Sequence, residues 1–357
     1  VLSNKEESMK GKWFVSLIVA LVVAVGWSFA RAQGLVKITP LGSHDGEFCA
    51  NDRALLFEDP TGLRILYDPG RSIAGATDDR LGTIHVMILT SVHSDHIGDV
   101  KANGINAGTC GAPGTVSAAP NSNFAEIAKA KNSTVVVGGE MHNYLSAKIA
   151  AVPPAGPLAA CPAVENLSVS EPPVAADLRT CILRHGGKRI VHLGSAEGVK
   201  IAVVRADHSN GVPRNLLAAG LAADLAPDNL TAYVGPENGY VLTFTNGLAV
   251  YLSGDTGHTA DMAAIVNDFY KADLAVMHMG DIFSMGPEEA AFAVKRLIKA
   301  KSAIAEHANE AATLKGIVQP GTRTARFIDL LKGTPVHVPL SGVTMQFDRN
   351  GKCVSGC

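Results

Sequence analysis

Val86-Met87-Ile88-Leu89-Thr90-Ser91-Val92-His93-Ser94-Asp95-His96 is the stretch whose reading decides the fold. Its opening β-branched and aliphatic run is the pattern of a strand buried on both faces. The polar cluster follows directly, so His93, Asp95 and His96 are expected in the loop at the strand's C-terminal end, where α/β sheets place their chemistry. Two imidazoles and a carboxylate so close together cannot all point one way from regular structure. A tight turn can fan them around one or two cations, and that donor chemistry suits Zn2+ and its neighbours.

The same arrangement, a strand delivering a metal-ligating residue, recurs along the chain. Upstream, Leu35–Pro40 reads as a short strand, and His44 sits in the turn 42–46. Ala54–Phe57 and Leu63–Tyr67 flank the turn Asp59-Pro60-Thr61-Gly62 as a hairpin that ends at Asp68. Downstream, Val199–Val204 leads into Ala206-Asp207-His208-Ser209. Tyr240–Thr245 and Leu248–Leu252 flank Asn246-Gly247, the dipeptide of a type I′ hairpin turn, and the second strand delivers Gly254-Asp255-Thr256-Gly257-His258. Leu274–Met277 runs into His278 and Asp281, and Ser302–Glu306 presents His307. A helix between them is signalled by Pro287, by Glu288 and Glu289 at its positive end, and by the apolar stripe Ala290, Val294, Leu297 and Ile298.

The middle of the chain reads differently. Phe124–Lys131 is expected as a helix and Thr134–Val137 as a strand, but Pro153–Pro173 is rich in Pro and Ala and shows no period. Residues from about 104 to 190 are therefore taken as a loop-rich insertion that rims the site.

The cluster at 91–96 closely resembles the His-x-His-x-Asp-His signature of the metallo-β-lactamase-fold hydrolases, with Ser91 where the first histidine is expected. The resemblance implies an α/β chain folded as an αββα sandwich, two mixed β-sheets with helices on the outer faces and the metal site on one edge. It implies one domain, 33–357, carrying the insertion. Ala206–Ser209, Gly254–Gly257 and Phe283–Ala290 look most like the branch related to L-ascorbate-6-phosphate lactonase. Carried over residue by residue, His93, His208 and Asp255 hold one cation, while Asp95, His96, His307 and the shared Asp255 hold the other. Asp68 would support the metal loop from behind, and Asp95 and Asp255 take the catalytic roles, with Asp95 or an acid behind the ligands shuttling the proton. Because a serine hydroxyl is a poor zinc ligand, the His93/His208 site is expected to be the weaker, with His44, His278 or Asp281 as replacement ligands. Ser91 and His258 complete the auxiliary positions.

Composition bounds what remains. The 357 residues are 47% hydrophobic and 18% charged with a formal net charge of −2, which suits a folded core and gives nucleic acid no basic surface to grip. Met9 to Ala32 has the basic start, apolar core and Ala30-Arg31-Ala32 site of a secretory signal, with cleavage expected after Ala32 and only transient contact with a membrane. Export to a secreted or periplasmic location makes the six cysteines candidates for disulfides, with at least one bridge expected among Cys110, Cys161 and Cys181. No Gly-x-Ser-x-Gly elbow occurs. The leading reading is an exported metal-dependent hydrolase that cleaves a small ester, lactone or amide with a metal-activated water. Its divalent metal is expected to be Zn2+, one or two ions, with Mn2+ and Fe2+ as other candidates. Phosphate-ester hydrolysis at the same site and a non-catalytic periplasmic metal-binding protein are the alternatives.

Overall fold

The period of two along a strand decides which core each side chain enters. In the strand Val86–Ile88, Val86 and Ile88 point into a core between two sheets, while Met87 and the following Leu89 lie beneath outer helices. The run is apolar throughout because both faces are covered, and its neighbours Leu55–Glu58 and Arg64–Tyr67 divide their side chains in the same way.

The computed structural model describes residues 34–357, so the secretory signal read at 9–32 lies outside the described residues. Two eight-stranded mixed sheets face one another. Val86–Ile88 is flanked by Arg64–Tyr67 and Thr134–Gly138, with Arg179–Leu183 at the edge of its sheet. The second sheet runs Val336–His337, Ser302–Glu306, Leu274–His278, Ala249–Leu252, Asn238–Thr243, Gly198–Arg205, Lys188–Leu193, Asn166–Val169. Helices Asn123–Lys131 and Met141–Ala151 cover the outside of the first sheet, and the helical stretch 287–298 with Arg323–Leu330 covers the second. This is the expected αββα sandwich.

Three local expectations change. The stretch 104–190 is not an appendage: it supplies Thr134–Gly138 and Arg179–Leu183 to one sheet and Asn166–Val169 and the start of Lys188–Leu193 to the other. Met141, Leu145 and Ile149 form the buried face of a helix there, a four-residue spacing that the surrounding Ala and Pro obscure. The hairpin at Asn246-Gly247 is also not type I′. Only Gly247 in this loop has a positive φ; the Phe244 amide donates to the Leu248 carbonyl while its own carbonyl accepts the Gly247 amide, which leaves a three-residue loop with glycine in the left-handed position. Buried Asp59 accepts from both the amide and hydroxyl of Thr245, which fixes that first loop residue and selects the longer turn.

The cysteines pair as Cys49–Cys110, Cys161–Cys181 and Cys353–Cys357. The second bridge falls inside the expected trio and ties the irregular segment before Asn166 to the Arg179–Leu183 strand.

Candidate metal centre

The side chains of the centre follow the end of a strand, except Glu237, which stands just before the strand Asn238–Thr243. Beyond Leu89, Ser94–Ile97 makes a single helical turn in which the amides of His96 and Ile97 both bond the His93 carbonyl. That turn aims His93 and His96 in different directions and so assigns them to different groups. Asp255 follows Gly254, whose φ is +59° and whose absent Cβ would lie 2.9 Å from the Asn238 carbonyl oxygen and 3.0 Å from Thr90. Only glycine lets this turn pass so close to the opposite sheet. His307 itself adopts a left-handed φ of 50°.

Two donor groups result. His93, His208, Glu237 and Asp255 form one; Asp95, His96 and His307 form the other. In the first, the Nδ1 atoms of His93 and His208 each lie 3.8 Å from a Glu237 oxygen, and the two rings meet edge-on at 5.1 Å. In the second, His307 Nε2 is 3.3 Å from both Asp95 Oδ2 and Asp255 Oδ1, and His96 Nε2 is 3.1 Å from Asp255 Oδ2. Asp255 thus touches both groups. Donors bound to one cation at about 2.0–2.2 Å stand roughly 3–4 Å apart, the spacing seen here.

The residues also pass a stricter test of fit. Both oxygens of Glu237, Oδ1 of Asp255 and Nε2 of His307 are buried with no hydrogen-bond partner among the described residues. Folds rarely leave such atoms unpaired, and these converge on the two points that the donor groups enclose. His93, Asp95 and His208 keep about a quarter or less of their side chains exposed, so the centre is approached from their side.

A second layer holds the donors in place. Asp68 accepts from the Thr90 amide at 2.8 Å and from the Thr90 hydroxyl, and its Oδ2 lies 2.7 Å from His96 Nδ1. A carboxylate there fixes the ring so that Nε2 faces the centre. Buried Arg53 sits 2.6 Å from Asp95 Oδ2 and donates to Asn309 Oδ1 at 3.0 Å. Ser91 is not aimed at the centre: its Oγ accepts the His93 amide at 3.0 Å, while Asn210 Oδ1 accepts the Val92 amide at 2.9 Å.

Titration follows from this packing. Burial first, then His96 and His208, push the His93 imidazole down to about 4, so it is a neutral donor at pH 7. Burial acts the same way on His96, but Asp255 and Asp95 outweigh it and lift that ring well above its usual value. Burial would raise Asp95, yet Arg53, His96 and His307 hold it far below the ordinary carboxylate range. That suits an anionic ligand. Burial and then Asp68 push Glu306 up to about 8, so this carboxyl beside His307 adds no charge at neutral pH.

The expected replacement ligands lie elsewhere. His44 packs against Ser43 and Cys49, and Asp281 is exposed. His278 is close but fully engaged, its Nδ1 3.0 Å from Ser253 Oγ and its Nε2 accepting the Met285 amide. His258 is exposed and bonds the Glu289 carbonyl. Sequence reading missed Glu237 and Arg53; each stands in a short polar segment, Pro236-Glu237-Asn238 and Asn51-Asp52-Arg53, that reads as an ordinary loop.

No family model matches the chain. A UPF0173 metal-dependent hydrolase of Cupriavidus necator is 27% identical over 263 residues, 72% of this chain and 71% of the relative. Another, from Polynucleobacter asymbioticus, is 25% identical over 353 residues, 96% of this chain and 98% of the relative. Among solved structures, Igni18, a metallo hydrolase from Ignicoccus hospitalis, aligns with a TM-score of 0.55 at 20% identity, covering 88% of this chain and 99% of its own. At that identity the likeness is one of fold.

Proposed function

For a chain that belongs to the metallo-β-lactamase superfamily of metal-dependent hydrolases, we propose that the substrate is a small ester, lactone or amide, hydrolysed outside the cytoplasm. The observation that carries this reading is Asp255, a buried carboxylate touching two donor groups in which Asp255 Oδ1, His307 Nε2 and both Glu237 oxygens have no hydrogen-bond partner among the described residues. Asp95, His96, His307 and Asp255 would hold one divalent cation, Zn2+ by their donor chemistry, and His93, His208 and Asp255 the other. Bound cations supply a water acidic enough to ionise near neutral pH and polarise a carbonyl oxygen. The chain's own part is orientation: Asp68 turns His96, Arg53 fixes Asp95, and the partly exposed side chains of His93, Asp95 and His208 leave the substrate one direction of approach.

Two features support an uncharged carbonyl substrate over a polyanion. The loop after His278, on the same sheet edge as His307, exposes Ile282 at 86% and Phe283 at 71%, an apolar lip. Arg53, the cation closest to the centre, is already committed to Asp95. The resemblance to the lactonase branch favours the lactone within this class. Export is supported by the pairing of all six cysteines together with the secretory pattern at 9–32.

The test is a chelator-stripped full chain, reloaded with Zn2+ or Mn2+ and offered matched esters, lactones, amides and phosphodiesters. Metal-restored turnover of carbonyl substrates is expected. Turnover of the phosphodiesters alone would move the chain to phosphate-ester chemistry, and firm metal binding with no turnover on the panel would favour the non-catalytic alternative.

A further inference from the structure

Ser91 stands where the superfamily signature has its first histidine, and its hydroxyl is spent on bracing the loop. The space beside it is not left to solvent. The Asn238 amide bonds the Thr90 carbonyl at 3.1 Å, and that bond between the sheets brings the preceding residue, Glu237, alongside Ser91. Glu237 has no exposed surface, its oxygens lie 3.8 Å from His93 Nδ1 and 3.8 Å from His208 Nδ1, and neither has a hydrogen-bond partner. A carboxyl buried for structural reasons is normally satisfied by backbone amides or an arginine, as Asp68 and Asp78 are here. Glu237 instead faces the rings of His93 and His208, with which, together with Asp255, it forms one donor group.

We propose that Glu237 is a protein ligand of the His93/His208 cation, taking the coordination place that serine at position 91 leaves open, and that it biases this site toward Mn2+ or Fe2+ and away from Zn2+. The proposal rests on the metal centre described under the proposed function. Exchanging an imidazole for a carboxylate makes the donor set two imidazoles and two carboxylates, harder and more anionic than the three-histidine set of the full signature. It also explains the pairing of residue types: a histidine at 91 and a glutamate at 237 would compete for one volume, whereas a small serine admits the longer acid.

Binding decides the matter independently of turnover. The stripped full chain is titrated with Mn2+ and separately with Zn2+ by equilibrium dialysis, with the Mn2+ paramagnetic resonance signal followed in parallel and thermal melts recorded with and without metal. The parent should take up two ions. Glu237→Gln should weaken one of them by about 10- to 100-fold, the order seen when a metal site loses a supporting group, and leave the other in place. His307→Ala should do the reverse. Metal-free Glu237→Gln should melt close to the parent, since an amide of nearly the same shape replaces the buried acid, while its metal-induced rise in melting temperature shrinks; a general folding defect would lower the first value. Glu237→Asp, with the carboxylate drawn back by one methylene, should fall between parent and Gln. The double variant Ser91→His with Glu237→Ala should recover tight Zn2+ but not Mn2+ at that site.

Parent-like affinity for both ions in Glu237→Gln overturns the proposal and leaves the metal centre standing. An unchanged preference between Mn2+ and Zn2+ in the double variant overturns the claimed bias. A parent that binds neither ion overturns the metal-centre reading and this proposal with it.

Discussion

Asn238 and Thr90 are joined by one backbone hydrogen bond of 3.1 Å, and it links the two sheets at the place where the metal loop begins. Beside it the buried Tyr240 hydroxyl donates to the Leu89 carbonyl at 2.8 Å. The strand that carries His93 and His96 is therefore held from the facing sheet as well as from its own. Tyr240→Phe keeps the ring and removes the second of these links. It is expected to cost about 1–3 kcal/mol in a denaturant titration. Both ions should weaken together, because the loop as a whole loosens; selective loss of one would contradict this account.

Arg53 neutralises Asp95 from the side facing away from solvent. Arg53→Ala leaves a largely buried carboxylate unpaired, and the metal-free protein should lose about 3–5 kcal/mol of stability. A cation at the His96/His307 group compensates that same charge. Saturating Zn2+ should thus restore more stability to the variant than it adds to the parent, as measured by parallel chemical denaturation. Equal metal-induced gains in the two proteins would show that Arg53 and the cation do not share Asp95.

Asp68 orients one ring only. Asp68→Asn can still accept from Thr90 but loses the charge that holds His96, and affinity at the Asp95/His96/His307 group should fall about 10- to 100-fold. The His93/His208 group should keep its affinity in the same titration. Loss at both would assign Asp68 to the loop's fold and not to the ring.

Away from the centre, Asp78 offers a test of pH dependence. Burial would raise its carboxyl, but the hydrogen bonds and charge of Arg80, at 2.7 and 2.9 Å, outweigh it and hold the group below its usual range. Because the folded value lies below the unfolded one, the stabilisation is fully present above the unfolded pKa of about 3.9 and fades as pH falls through the folded value. Asp78→Asn should cost about 2–4 kcal/mol at pH 7. The gap between parent and variant should narrow as the solution is acidified below pH 4. A gap independent of pH would mean that the charge is not what matters.

The strand ends were legible because each carries its own signal: an apolar run, then a polar residue of metal-ligating type. His93, Asp95, His96, His208, Asp255 and His307 could be named without coordinates for that reason, and the structure brings all six together. Glu237 could not be named. Its neighbours Pro236, Asn238 and Gly239 read as a turn, and what places it beside the His93 and His208 rings is the backbone hydrogen bond of the next residue, Asn238, to Thr90, far away in sequence on the other sheet. Arg53 was hidden likewise, since its partner Asp95 reaches it only after the sheets are packed. The helix Met141–Ala151 was missed because four of its residues are alanine or serine, which blurs the apolar stripe without breaking the helix.

The donors that share Asp255 come from positions 93 to 307, and no short fragment of the chain contains a complete set. Loop closure on that scale must be completed by the protein before an ion gains anything from it. Metal capture is accordingly a late event that reports the docking of both sheets, and a half-folded chain has little with which to hold a cation. A captured ion would act as a clasp, because its candidate donors follow Val86–Ile88 on one sheet and Ala249–Leu252 and Ser302–Glu306 on the other, and separating the sheets would then require releasing it. For a chain exposed to proteases, that converts local metal supply into survival time, so that scarcity of the ion would remove the protein as well as its activity.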